Sequence, residues 1–239
     1  MDSTELDPGG IADFVGDARS FTAEYWRKQP GVFRSTTSEW SPLTLAAVDE
    51  ALESGALQSC YVDLTKAGGS APADAYSSSR TVHQTAYPGF VDATKVRTLL
   101  DDGYTLLLRC AEQWHGPTAA LTRALGAELG RHVEAFFFVT PPGQQGLPLH
   151  RDDADVLVHQ VSGSKEWHVH GGPAGADWRP GPVQSDGEPL LTTVLNAGEV
   201  LYIPGASRTA PPGSAACPPT CRSPSGRSAR WSSSRRCSG

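Results

Sequence analysis

The sequence lacks any long hydrophobic run. Its longest apolar stretches, such as Ala135–Val139, span about five residues, far short of the roughly 18 to 20 residues that a helix needs to cross a bilayer. The first residues, Met1 to Glu5, also lack the basic-then-apolar pattern of a secretory signal. These two absences predict a cytoplasmic protein with no membrane partner.

Acidic residues are absent from the last part of the chain. Residues 1–204 hold 14 Lys and Arg against all 26 Asp and Glu, a formal net charge of −12, whereas residues 205–239 hold 6 Arg and no acid, a net charge of +6. Residues 205–239 also contain no Val, Ile, Leu, Met or Phe, so they cannot bury enough apolar surface to offset their chain entropy. We therefore predict a folded body and a disordered basic tail rich in Ser, Arg and Pro at 205–239.

Basic clusters and paired cysteines are also scarce. The acidic body argues against nucleic acid as the main partner, because phosphate binding requires clustered Lys and Arg. Cys60 and Cys110 have no paired spacing, which predicts reduced thiols. Cys217 and Cys221 are spaced like half of a zinc site, but only Cys237 and no His follow them. Because structural zinc requires four ligands, we do not expect a zinc site in the tail.

The body divides into two parts by periodicity. After an N-terminal segment, 1–19, residues up to 131 are predicted to be mostly helical. Ser41-Pro42 indicates the start of a helix that ends at Gly55, residues 96–100 end a second helix, and Pro117 begins a third that Gly130 closes.

From residue 132 the pattern changes to short strands bounded by Gly, Pro, Asn or Asp. The predicted strands are 132–140, 154–161, 165–170, 189–195 and 200–204. Several short strands joined by turns predict an antiparallel barrel or jelly roll. The predicted fold class is therefore α+β with a mainly β core.

One pair of residues in this region has metal-ligand spacing. His150 and Asp152 lie where a Pro- and Gly-rich loop enters a strand. Residues i and i+2 of extended chain project to the same side, so an imidazole and a carboxylate at this spacing can bind one metal ion. On spacing alone, a surface histidine beside a solvated acidic cluster, Asp152, Asp153 and Asp155, is the favoured interpretation.

The surrounding stretches resemble the JmjC-type cupin oxygenases, and most closely their ribosomal-protein hydroxylase branch. The similar stretches are Thr140–Asp153, Val158–Trp167 and Gly198–Pro204, in matching order, and Phe21–Arg34 resembles the stretch that opens that branch. The resemblance covers about residues 20 to 204. It implies a double-stranded β-helix, or jelly roll, formed by strands within 132–204 and preceded by a helical part at 20–131.

The resemblance also implies a chemistry, that of an Fe(II)- and 2-oxoglutarate-dependent hydroxylase. His150 and Asp152 would be two members of the two-His, one-carboxylate metal site. Lys165 would pair with the distal carboxylate of 2-oxoglutarate, because a buried carboxylate is costly unless paired. Thr140 would add a hydroxyl to the same carboxylate. Without the resemblance, Lys165 is a turn residue and Thr140 a strand-end residue, and no catalytic residue beyond the metal ligands is implied.

Other residues near this motif are assigned structural positions. If Lys165 and Trp167 face the interior, His168 and His170 face outward. Trp167 is predicted to be a core residue rather than a catalytic one, and His159 a packed or surface histidine.

The sequence departs from the family pattern in two places. Phe136 and Phe138 stand where the family often has Asn and Tyr, which removes polar contacts to the co-substrate. After the last motif the family continues Arg-Gly-x-x-His, and that His is the third iron ligand, whereas this chain has Thr209 at the position.

A shifted reading frame would explain the second departure. Codons that encode Gly205–Pro212 can, when read one nucleotide earlier, encode Arg-Gly-Val-Pro-His-Arg-Ala-Ala. We hypothesise that residues from about 205 onward are an out-of-frame translation. The alternative is a genuine divergent tail.

Two function classes follow from these observations. The first is an oxygenase that hydroxylates a protein side chain, for example of a ribosomal protein, or a small molecule. The second is a catalytically inactive cupin binding module. The retained Lys165 and His150–Asp152 pair favour the first class, and the missing third ligand favours the second. The C-terminal extension that relatives use for dimerisation is not recognisable, so a homodimer is not supported.

Overall fold

The computed structural model describes most of the chain, but not all of it. The described residues are 9–36, 41–66, 69–144, 149–172, 179–182, 187–205, 207–210 and 228–236, with the backbone alone for 208–210 and 228–236. The tail cysteines Cys217, Cys221 and Cys237 lie outside these ranges. Among the described residues, no helix has the length and apolar character needed to cross a membrane.

Five α-helices occur in the described chain. They are α1 (Ile11–Val15), α2 (Ala18–Ser20), α3 (Leu45–Ser54), α4 (Ala93–Asp101) and α5 (Gly116–Leu129). A π-helical turn, Phe21–Tyr25, follows α2 directly. The three helices predicted from periodicity correspond to α3, α4 and α5 and are confirmed.

The start of α3 differs from the prediction. Thr44, not Ser41, caps this helix, because the Thr44 hydroxyl accepts a hydrogen bond from the Ala47 N–H at 3.1 Å. The Ser41 hydroxyl instead donates to the Leu43 carbonyl oxygen at 2.9 Å. The predicted end is confirmed, since Gly55 adopts a left-handed conformation with φ 58°, which glycine enters without steric cost.

The described chain also forms fifteen strands. They are β1 (Gly31–Arg34), β2 (Val62–Lys66), β3 (Gly69–Ser70), β4 (Ser77–Val82), β5 (Thr85–Val91), β6 (Thr105–Leu108), β7 (His132–Thr140), β8 (His150–Arg151), β9 (Asp155–Ser162), β10 (Ser164–His170), β11 (Gly181–Pro182), β12 (Leu191–Asn196), β13 (Glu199–Ile203), β14 (Arg208–Ala210) and β15 (Ser228–Arg236).

The prediction of a mostly helical part up to residue 131 missed six strands, β1 to β6, that lie there among the helices. The short apolar strand β6 shows the reason. Its four residues, Thr105 to Leu108, are all buried and pair with β2 and β7. A short buried run has no alternation that would distinguish a strand from a helix segment.

The strands form two main sheets and a separate hairpin. The large sheet has the order β1-β13-β9-β15-β7-β6-β2-β3, the small sheet has the order β11-β8-β14-β10-β12, and β4 pairs with β5 alone. The four strands β13, β9, β15 and β7 lie opposite the four strands β8, β14, β10 and β12, which gives the two-layer arrangement of a jelly roll. The predicted α+β class with a mainly β, cupin-like core is confirmed.

Each face of the large sheet covers its own apolar cluster. An outer cluster lies between this sheet and the helices and includes Phe14, Val48, Leu121, Leu157 and Tyr202. An inner cluster lies between the two sheets and consists of Val156, Val158, Val169, Leu195, Leu201 and Ile203. Since strand residues alternate between faces, these memberships assign a face to every residue of β9 and β10.

Two segments of the tail depart from the expected disorder. Strand β14 pairs antiparallel with β8 and β10, and β15 lies between β7 and β9 and runs parallel to both. Disorder was predicted because residues 205–239 lack large apolar side chains, and this argument takes no account of backbone hydrogen bonds. A strand between two others satisfies its backbone N–H and carbonyl groups on both sides, which a composition argument does not count.

Candidate functional site

The two predicted metal ligands lie together at strand β8. His150 Nε2 is 3.5 Å from Asp152 Oδ2, and the two side chains are 26% and 23% exposed. Two ligands that bind one ion at right angles, each at about 2.1 Å, have donor atoms about 3 Å apart. The pair is therefore partly buried, reachable from solvent, and close to the spacing of two ligands of one ion.

The position of the missing third ligand lies directly beside this pair. In the small sheet, Thr209 of β14 is the register partner of His150 on one side and of Val169 on the other. Among the described residues, no three His, Cys, Asp or Glu side chains are arranged to hold a metal ion. His150 and Asp152 would supply only two of the three donors of a facial triad, and this donor set does not fit Fe(II) as the resemblance implies that the family binds it.

Lys165 lies between the two sheets, as the resemblance implies. It pairs across the small sheet with Leu195 of the inner cluster, and only 8% of its surface is exposed. Its Nζ atom lies 4.8 Å from the ring centroid of Trp167, a cation–π distance. A buried ammonium in this space is suited to pair with a carboxylate.

Thr140 faces the same inter-sheet space from the large sheet. Phe137 and Val139 of β7 belong to the outer cluster, so Thr140 faces the opposite side by strand alternation. It is buried, and its Oγ1 accepts a hydrogen bond from Oγ1 of Thr105 at 3.4 Å. Thr105 was not predicted as a site residue from the sequence. It directly precedes three leucines, Leu106 to Leu108, and a single threonine at the start of such an apolar run can indicate a hydroxyl that faces the interior.

The remaining motif residues divide between the two faces of β10. Trp167 packs against the inner cluster, as predicted for a core residue, but its indole Nε1 is buried without a hydrogen-bond partner. His168 lies on the other face and pairs with Glu166, with 3.0 Å between Nε2 and Oε1. His170 is buried, with its Nδ1 3.1 Å from the Gly187 carbonyl oxygen.

His159 is packed rather than available for binding. It lies on the outer-cluster face of β9, 2% exposed, with its ring edge-on to Phe14 at 5.8 Å between centroids. Burial lowers the pKa of His159 to about 4, and neither ring nitrogen has a hydrogen-bond partner among the described residues. The side chain is therefore neutral at physiological pH and belongs to the core.

Asp155 departs from the solvated acidic cluster considered above. It is buried, and its Oδ1 accepts hydrogen bonds from the Tyr202 hydroxyl at 2.8 Å and from the Gly205 N–H at 3.1 Å. The Tyr202 hydroxyl in turn accepts from the Arg27 N–H at 2.7 Å, and burial raises the pKa of Tyr202. Asp155 thus fixes the turn that leads from β13 into β14.

Comparison with known families decides the identity of this fold. Residues 112–217 match the JmjC domain, and this range contains His150, Asp152, Lys165, Thr140 and position 209. Over these residues the chain is similar to JmjC domains. The resemblance to JmjC-type cupin oxygenases inferred from the motifs is confirmed.

This chain has several ribosomal oxygenases among its relatives. It is 28% identical over 208 residues, 83% of this chain, to the bifunctional lysine-specific demethylase and histidyl-hydroxylase NO66 of Drosophila grimshawi, and covers 26% of that protein. It is 30% identical over 123 residues, 49% of this chain, to human ribosomal oxygenase 1, and covers 19% of it. The chain therefore spans a third or less of these relatives' length.

Solved structures support the same fold. The ycfD protein of Escherichia coli superposes with a TM-score of 0.56 at 22% identity, covering 81% of this chain and 48% of ycfD. A second structure of YcfD, a ribosomal oxygenase in complex with cobalt and 2-oxoglutarate, superposes with a TM-score of 0.52 at 23% identity, covering 80% of this chain and 46% of YcfD.

Proposed function

We propose that this JmjC domain has the architecture of an Fe(II)- and 2-oxoglutarate-dependent oxygenase that hydroxylates a protein side chain. We propose further that the chain with its present sequence binds the metal ion weakly. The observation that carries the proposal is the placement of Lys165 as a buried cation between the sheets, in the same small sheet as β8, which bears His150 and is separated from the Lys165 strand β10 by β14 alone. The kinship with NO66 and the ribosomal oxygenases supports a protein substrate, of which a ribosomal protein is the first candidate.

The site suits the co-substrate better than the metal. Lys165 offers a buried ammonium for the distal carboxylate of 2-oxoglutarate, and Thr140 offers a hydroxyl on the facing sheet. For the metal, His150 and Asp152 provide one nitrogen and one carboxylate donor, and a threonine at position 209 replaces the third donor with a neutral hydroxyl. Weak metal retention follows, because thiol, imidazole and carboxylate side chains are the donors that hold such ions.

Restoring the third donor tests the proposal. Directly opposite residues of antiparallel strands share a face, so a histidine in the Thr209→His variant is expected to join His150. We expect the variant to bind Co(II) at least about tenfold more tightly than the unaltered chain, since even outer-shell changes at metal sites cost 10- to 100-fold in affinity. Calorimetric titration with Co(II) measures this, and Thr193→His, on the edge strand β12 that β10 separates from β14, controls for a histidine placed elsewhere in the small sheet.

Turnover supplies the second measurement. With added Fe(II) and 2-oxoglutarate, we expect little succinate from the unaltered chain and more from Thr209→His. Succinate formation by the unaltered chain at the level of the variant would contradict weak metal retention. Transfer of one oxygen atom to a ribosomal protein, detected by mass spectrometry, would identify the substrate class.

The second candidate is a cupin binding module without catalysis, and the threonine at position 209 favours it. The two candidates separate in the Thr209→His variant. If that variant binds Co(II) and 2-oxoglutarate but yields no succinate with Fe(II), the module is the better description.

A further inference from the structure

Trp167 has a buried hydrogen-bond donor with no partner. Its indole Nε1 is shielded from solvent and makes no hydrogen bond within the described part of the chain. Buried donors in native proteins are nearly always paired, because leaving one unpaired is costly. The indole of Trp114 shows the usual situation, since its Nε1 donates to the Arg109 carbonyl oxygen at 3.0 Å.

This donor lies in the space that the candidate site uses. Trp167 and Lys165 are two residues apart on β10 and face the same side, where Trp167 packs against the inner cluster. The Lys165 ammonium lies over the Trp167 ring, 4.8 Å from its centroid. The unpaired indole N–H and the buried ammonium therefore both belong to the space between the two sheets.

The relative directions of the two donors define the ligand. The ammonium lies above the ring, whereas an indole N–H points outward in the plane of the ring. Because the two donors point in different directions, one carboxylate is poorly placed to accept hydrogen bonds from both. They suit a small ligand with acceptors at two places, which a dicarboxylate provides. A purely structural tryptophan would gain nothing from an unpaired N–H, and the core assignment made from sequence does not account for it.

We propose that Trp167 is a binding residue for a small dicarboxylate held by Lys165. The Trp167 ring supports the Lys165 ammonium through its face, and the indole N–H donates a hydrogen bond to a second acceptor of the same ligand. This inference rests on the function proposed above, in which the dicarboxylate is 2-oxoglutarate, and it adds a donor that the motif resemblance does not assign.

The indole N–H resonance of Trp167 provides a direct test. In ¹H–¹⁵N spectra of the whole labelled chain, the signal is assigned by its loss in Trp167→Phe or, if that variant does not fold, by Overhauser contacts to the methyl groups of Val169 and Leu195. The probe is glutarate, a dicarboxylate without the keto group, so binding does not depend on the metal. We expect the Trp167 signal to shift saturably with glutarate, while the Trp114 signal stays in place.

Variants separate the ring from its N–H group. Trp167→Phe keeps an aromatic face beneath Lys165 but removes the donor, and we expect it to weaken glutarate binding about fivefold, the worth of one neutral hydrogen bond. Trp114→Phe, which removes a donor that is already paired within the protein, should leave glutarate affinity unchanged. Lys165→Ala should abolish binding.

The outcomes distinguish this inference from the proposed function. If glutarate binds and Lys165→Ala abolishes binding, but the Trp167 signal does not move and Trp167→Phe binds equally well, the inference is overturned and the proposed function stands. If neither glutarate nor 2-oxoglutarate binds the chain or its Thr209→His variant loaded with Zn(II), the proposed function fails and the inference fails with it.

Discussion

At the scale of single residues, His159 links burial to acid sensitivity. Its pKa is lowered to about 4 in the folded protein by burial, against about 6.5 in an unfolded chain. Between these values the unfolded state binds more protons than the folded state, so stability falls as pH falls through this window. At pH 8 and above, both states are essentially neutral at this residue and the effect disappears.

We therefore expect the His159→Leu variant to lose less stability on acidification. Between pH 7 and pH 5, His159 alone should lower the free energy of unfolding by about 2 kcal/mol in the unaltered protein, and the variant should lack this contribution. Urea unfolding at both pH values measures it, with the exposed His132→Ala as the control. Equal acid sensitivity of the unaltered protein and His159→Leu would contradict the assignment.

The proximity of the two candidate ligands could be predicted from the sequence, whereas their surroundings could not. His150 and Asp152 are two residues apart, and alternation in extended chain is a local property, so their side chains lie on the same side. Thr105 approaches Thr140 from a strand 35 residues earlier, and no local pattern encodes that pairing. Lys165 was identified only through the motif resemblance, and the unpaired N–H of Trp167 became visible only in three dimensions.

At the scale of elements, the cap of α3 offers a matched comparison. The Thr44 hydroxyl accepts from the Ala47 N–H, which satisfies one of the helix's unpaired N-terminal donors. We expect Thr44→Ala to lower the free energy of unfolding by about 1 kcal/mol, and Ser41→Ala to change it by less, since Ser41 does not cap the helix. Urea unfolding of both variants decides this, and a larger loss in Ser41→Ala would reverse the assignment.

Helices and strands were predictable where they were long enough to show a hydrophobic periodicity in the sequence. The three helices and the strands β7, β9, β10, β12 and β13 followed from periodicity and from bounding Gly and Pro. Two-residue strands such as β8 and β11 exist only through their pairing partners, and the four buried residues of β6 show no alternation. Neighbouring strands, not local sequence, decided these elements.

At the scale of the whole molecule, the amino-acid sequence of strand β15 is atypical of a central strand in the large sheet. A jelly roll is an antiparallel architecture, yet β15 runs parallel to both neighbours in the large sheet. Central parallel strands are usually rich in Val, Ile and Leu. Ser228–Arg236 contains none of these, and seven of its nine residues are Ser or Arg, the other two being Ala and Trp. The jelly roll thus has a place for a strand here, and the sequence that fills it is unlike one selected for that place.

The atypical sequence of β15, the change in net charge near residue 205 and the threonine at the third-ligand position 209 all fall in the same C-terminal part of the chain. A single cause, a shifted reading frame, accounts for all three features. If residues from about 205 onward are read out of frame, the gene should encode a histidine at position 209 in the neighbouring frame, within Arg-Gly-x-x-His. Nucleotide sequencing across codons 200–215 tests this, and codons unable to yield that histidine would exclude a frameshift. A chain expressed in the restored frame should then bind Co(II) as tightly as Thr209→His and resist urea better than the unaltered chain, because it would gain a strand selected for the place between β7 and β9 along with the ligand.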